Sequence, residues 1–160
     1  MSAARVPHRP SLYDARHGRT CSGSGARFVG GIRRTVDTRS KILTIEQARS
    51  LRAEAPVVVS GYFDLLHAEH ARELSALRCR TGARTLVAAV LPWPDAYMSQ
   101  RARAEMAAGL RMVDYVVALE PDELATLVNA LGPYEVVHWE EDDAHRNREL
   151  IEHVHRRHSS

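Results

Sequence analysis

The 160-residue chain has only two cysteines, Cys21 and Cys79, with no CxxC and no multi-cysteine framework. Neither a disulfide scaffold nor a zinc ribbon is indicated, and a reducing cytoplasm is the simpler expectation. No apolar run approaches the roughly 18 residues of a transmembrane helix, and no secretory apolar core is present. The sequence also lacks an internal repeat and a GxGxxG, so a dinucleotide cofactor is unsupported. No lysine follows Lys41, which leaves arginine as the fixed cation of everything downstream.

What remains is one domain's worth of chain with a divided charge. Residues 1–40 carry eight Arg against Asp14 and Asp37, a charge of +6, while the other 120 residues sum to −4. The asymmetry describes a basic tail on an ordinary acidic domain and argues against a nucleic-acid-binding surface across the fold. The tail is Arg-rich and Ser-containing, as a transit peptide is, but it lacks a clear apolar face. We expect residues 1–40 to be a disordered basic extension and residues 41–158 to form the domain.

Four Val-rich segments read as strands: Pro56 to Ser60, Thr85 to Leu91, Val113 to Leu119 and Tyr134 to Trp139. Helical stretches separate them. Thr44 with Gln47 forms a capping-box signal for a first helix over 44–54. A second helix runs over 65–80 before Gly82, and a third over 99–111. Pro121 opens a fourth, and a fifth over 144–157 is capped by Asp142 or Asp143. Alternating elements with near-continuous apolar strands predict an α/β fold, a Rossmann-like parallel sheet with helices on both faces. Ligands in such sheets bind beyond the carboxyl ends of the strands, where SGYFDLLHAEH begins.

That segment holds His67 and His70 at i,i+3 spacing near a helix start. Imidazoles placed there can join free N–H groups in holding a phosphate and donating to its developing charge. The same spacing also describes an ordinary hydrogen-bonded pair, and Asp64 is the one local residue that could extend it to a metal site.

The run Gly61-Tyr62-Phe63-Asp64-Leu65-Leu66-His67-x-x-His70 resembles the signature of the cytidylyltransferase-like nucleotidyltransferases. It is most similar to the adenylyltransferase domain of ADP-heptose synthase and to glycerol-3-phosphate cytidylyltransferase. KILTIEQARSL before the strand and RAEMAAGLRMVDYVVAL over 103–119 extend the resemblance to about Lys41 through Val154. It implies transfer of a nucleotide from an NTP, such as ATP or CTP, to a phosphorylated sugar or alcohol, with release of pyrophosphate. His67 and His70 would stabilise the transition state. Ser60, Gly61, Tyr62, Phe63, Asp64, Arg103, Arg146 and Arg148 would bind the nucleotide, and Mg²⁺ would accompany it. The family is often dimeric, so a homodimer is the expected assembly; no membrane partner is expected.

The chain departs from the family in four places. Glu69 replaces the glycine of H-x-G-H, and a carboxylate about 4 Å from a phosphate costs on the order of 4 kcal/mol at an effective dielectric near 20. Turned outward, the same Glu would be a mildly stabilising first-turn residue. The connection LPWPDAYMSQ is short and lacks the usual Lys; Trp93 in it either stacks on a base or packs as a lid. Arg146, Asn147 and Arg148 stand where the family has hydroxyl residues, in a helix whose Leu150, Ile151 and Val154 read as its buried side. HWEEDDAH, 138–145, is strongly acidic; His138, Asp142 and His145 there are either metal ligands or part of a capping, solvated face. These departures keep a second expectation open, a catalytically degenerate nucleotide-binding or scaffold protein of the same fold.

Overall fold

The computed structural model describes residues 37–51, 53 and 56–158. Its middle layer is an all-parallel five-stranded sheet in the order β1-β4-β3-β2-β5. The strands are β1 Ile42–Leu43, β2 Pro56–Gly61, β3 Thr85–Val90, β4 Tyr115–Ala118 and β5 Glu135–His138. The helices are α1 Ile45–Arg49, α2 Ala68–Thr81, α3 Gln100–Gly109, α4 Glu123–Leu131 and α5 Glu140–His158. The chain is therefore α/β and Rossmann-like, as its alternation of apolar strands and helices predicts. Among the described residues no helix is long and apolar enough to cross a membrane.

Period-2 alternation along the strands divides the core into two layers. Val57, Val59, Leu86, Ala88 and Val90 pack with Leu74 and Leu77 of α2 and with Ala104, Ala107 and Ala108 of α3. Val58, Val87, Ala89 and Val117 pack with Ile45 and Ala48 of α1 and Leu127 of α4. Both faces of β2 and β3 are thus covered, and each fully buried Val or Leu contributes about 1.5–3 kcal/mol. The steps β2 to β3 to β4 run one way across the sheet, and β4 to β5 returns past them to the far side of β2. Right-handed crossovers place α2 and α3 on one face and α4 on the other. The reversal falls between β2 and β5, and the carboxyl ends of strands at such a switch are where open α/β sheets bind ligands.

Boundaries shift where local hydrogen bonds outrank the apolar pattern. Strand β1 was not expected, because two residues are too few to register as a periodic segment; Ile42 and Leu43 pair with Val116 and Val117. The described residues include Asp37 to Ser40, ahead of Lys41: the Asp37 carboxylate accepts from Arg39 N at 3.0 Å and caps a 3-10 turn over Thr38–Lys41. The Lys41 Nζ then donates to the carbonyls of Leu110 and Val113. The remainder of the basic extension, residues 1–36, and with it Cys21, lies outside the described residues. Helix α1 has the predicted reciprocal Thr44–Gln47 bonds. It closes at Arg49 because Ser50 and Leu51 bond back three residues, to Gln47 and Ala48; residues 52, 54 and 55 of its expected tail are outside the described set. Helix α5 starts at Glu140, four residues before the expected Ala144, so the acidic run forms its first turn.

Candidate functional site

The site is built at the turn that follows β2. Phe63 has φ 52°, a left-handed backbone uncommon outside glycine. Its fully buried ring, 6.1 Å from that of Trp139, holds it there. In this conformation the N–H groups of Tyr62 and Phe63 converge on one oxygen, Asp143 Oδ2, at 2.8 and 3.0 Å. Successive amides aimed at one point form an anion-binding concavity. The second oxygen of the same carboxylate, Oδ1, lies 2.9 Å from His70 Nε2. Asp143 is only 3% exposed. A Cβ on Gly61 would sit 2.7 Å from Asp143 Oδ2, so the approach of the carboxylate requires glycine at 61.

Helix α2 begins at Ala68, not near Leu65. The Asp64 carboxylate is committed elsewhere, accepting from the N–H groups of Tyr97 and Met98 at 2.9 and 3.0 Å, and the chain stays non-helical through His67. His67 is therefore the N-cap, with extended backbone, and His70 is the third helical residue. The two rings lie 5.8 Å apart. His67 N–H donates to His70 Nδ1 at 3.0 Å. A ring nitrogen that accepts carries no proton, so the proton of the neutral His70 imidazole is on Nε2 and is donated to Asp143. The edge of Trp139 closes the other side of this ring, which is 1% exposed. His67 Nε2, by contrast, is buried without a protein partner.

Arg146 reaches the same cluster from α5. It donates to Glu73 Oε1 at 2.6 Å, and its Nη1 lies 3.9 Å from Asp143 Oδ1 and 3.3 Å from His70 Nε2. With the His70 proton on Nε2 the last contact sets donor against donor. Attraction to Glu73 and Asp143 is what holds the guanidinium.

The other expected nucleotide contacts divide. Ser60 is fully buried, and its hydroxyl donates to Glu140 Oε1 and bonds His138 Nδ1 at 2.9 Å. Tyr62 stacks on Trp93, 4.9 Å between centroids, so Trp93 lies over a side chain of its own protein. Arg103 is 2% exposed and donates to the carbonyls of Tyr62 and Leu91 at 2.5 and 3.0 Å. It is an internal strut between the β2 turn and the end of β3. Burial pulls its guanidinium below the ordinary arginine range, while the negative charges of Asp64 and Asp143 oppose that shift. Arg148 is exposed and lies about 140° around α5 from Asp143 at 100° per residue, away from the cluster. Val154, expected to be buried, is 43% exposed, whereas Leu150 and Ile151 are half-buried.

The acidic residue between the histidines is solvent-exposed, at an open pocket that it lines with His67 and Arg146. Glu69 is 63% exposed in its side chain and faces Arg72 at 4.0 Å. Glu69→Ala should change phosphate affinity less than about twofold in a binding titration, since a charge in solvent at the rim of that pocket is screened. A gain above tenfold would mean the carboxylate does reach the site.

The carboxylate that enters the site is Asp143, which the sequence reading missed as an inward residue. A signal for it existed. Asp143, Asn147, Leu150 and Ile151 share one helical face at i, i+4, i+7 and i+8, so extending the apolar stripe one turn toward the N-terminus places Asp143 inside. His138, Asp142 and His145 do not converge; Asp142 is exposed and His145 pairs with Glu149. Among the described residues no three His, Cys, Asp or Glu side chains are grouped to hold a metal. No protein-family model matches the chain, and no curated protein matches it significantly.

Proposed function

We propose that this protein is a nucleotidyltransferase that moves a nucleotide from an NTP to a phosphorylated sugar or alcohol. One observation carries the reading: Tyr62 N–H, Phe63 N–H and His70 Nε2 converge on a single anion, the Asp143 carboxylate, beyond the carboxyl end of β2. That donor set suits a phosphate oxygen, and Arg146 adjoins it with a cation. In the proposed step an acceptor phosphate oxygen attacks the α-phosphorus. The bond from that phosphorus to the β-bridging oxygen breaks, and pyrophosphate leaves with the electron pair. His70 and the two amides stabilise the charge on the transferred or leaving phosphate, and His67, with a free Nε2, lies beside them.

Among the described residues no His, Cys, Asp and Glu side chains are grouped to form a Mg²⁺ site. Asp64, the nearest candidate, is spent on two amides. Mg²⁺ that accompanies a triphosphate would be held by the nucleotide, and no step is assigned to it. The cytoplasm is the expected compartment for such substrates, and a homodimer the expected assembly.

A second reading has its own observation. Asp143 already fills the anion position, which favours a catalytically silent nucleotide-binding or scaffold protein. The two separate in one assay: each of the four NTPs with Mg²⁺ is incubated with a panel of sugar and polyol phosphates, and pyrophosphate is measured. The transferase reading expects acceptor-dependent release that falls sharply in His67→Ala. NTP binding by thermal shift with no release for any pair selects the silent reading, and neither binding nor release rejects both.

A further inference from the structure

Resting on the reading just given, we infer that Asp143 is an internal stand-in for a substrate phosphate, and that the site opens only when this carboxylate is withdrawn. Its two oxygens take up all three donors of the cradle, Tyr62 N–H, Phe63 N–H and His70 Nε2. These distances are those of charge-assisted hydrogen bonds to an anion. The fit leaves no room beside it: a single methyl on Gly61 would fall 2.7 Å from Oδ2 and 3.3 Å from both Phe63 and Trp139. A phosphate oxygen and the carboxylate therefore compete for one position. Being part of the chain, Asp143 competes at a high effective concentration.

The placement of Asp143 makes it a gate and not only a plug. It stands in the first turn of α5 among Glu140, Glu141 and Asp142, and the helix start is tied to β2 by Trp139 N–H to Ser60 O at 2.8 Å and by the Ser60 hydroxyl to Glu140. An entering phosphate must turn the Asp143 side chain out or draw back this turn. Arg146, on the next turn and 3.9 Å from Asp143, is positioned to stay behind as the cation of the opened site.

The test measures binding of inorganic pyrophosphate to the full chain by calorimetry and by its effect on the melting temperature, with chloride at matched ionic strength as control. Asp143→Ala should bind pyrophosphate at least about tenfold more tightly than wild type and should melt higher as pyrophosphate is added, whereas wild type responds little. Adding Gly61→Ala to Asp143→Ala should cancel the gain, because the new methyl would lie 2.7 Å from the vacated oxygen position, too close for a phosphate oxygen to take it. Should Asp143→Ala not fold in chloride, pyrophosphate should restore its circular dichroism, and that of Asp143→Ser, by replacing the missing anion. Equal affinity in wild type and Asp143→Ala overturns the inference, as does a response that survives Gly61→Ala. So does failure of pyrophosphate to recover unfolded variants. Turnover is not read here, so an absence of nucleotidyl transfer would reject the transferase reading and leave the gate standing.

Discussion

His70→Ala should lower nucleotide-dependent pyrophosphate release by about 10²–10³-fold, the usual cost of removing one donor aimed at developing charge. The same change should cost about 2–4 kcal/mol of stability. It empties a fully buried ring position and leaves His67 N–H and one oxygen of Asp143 without their partners. Activity and folding would then fall together, and a structural role alone could produce both. His70→Asn separates them. An asparagine amide oxygen occupies about the place of Nδ1, so it can still accept from His67 N–H, but nothing reaches the position of Nε2. We expect His70→Asn to recover part of the stability lost in the alanine variant and none of the turnover. Recovery of turnover with stability would make His70 a helix cap and nothing more. Urea unfolding and initial-rate pyrophosphate release, measured on the same preparations, decide the matter.

The sheet was legible because its chemistry is local. Consecutive Val residues at 57–59 and 116–117 have few stable environments other than a strand covered on both faces, and Gly82, in the left-handed region at φ 64°, marks the end of α2 by backbone freedom alone. The site was legible only in part, because its decisive contacts join residues about 80 positions apart. His67 and His70 could be placed at the head of α2 from spacing. Neither spacing nor composition says which acid faces them. Glu69 is nearest in sequence and points to solvent, whereas Asp143 comes from another helix and meets both amides of the β2 turn. Arg103 illustrates the same limit from the opposite side. Its position at the head of α3 suggests a phosphate contact, yet the carbonyls of Tyr62 and Leu91 claim it, because a parallel sheet's carboxyl edge leaves acceptors that some donor must satisfy.

Arg103→Ala should therefore destabilise the domain by about 3–5 kcal/mol, the range for removing one partner from a buried charge set. Three losses add. Two half-buried carbonyls lose their donor, each worth up to about 1–3 kcal/mol before relaxation. Asp64 and Asp143, whose charges bear on this guanidinium, lose a compensating cation. The space of a fully buried side chain, among the largest in the core, is left to collapse. Lysine should rescue little: a single ammonium lacks the planar fork that reaches both carbonyls. Arg101 is the control, since it lies on the same helix with an 86% exposed side chain and, among the described residues, pairs with Glu105. Arg101→Ala should cost less than about 1 kcal/mol. In urea the Arg103→Ala midpoint should fall by roughly 1–3 M for a domain of this size, and that of Arg101→Ala by a small fraction of that. Because Arg103 grips the carbonyl of the residue whose own N–H holds Asp143, a loosened turn should also raise amide exchange at Tyr62 and Phe63 before the rest of the sheet opens. Equal midpoints for the two variants would show that Arg103 is not a strut, and would return it to the list of residues free to meet a phosphate.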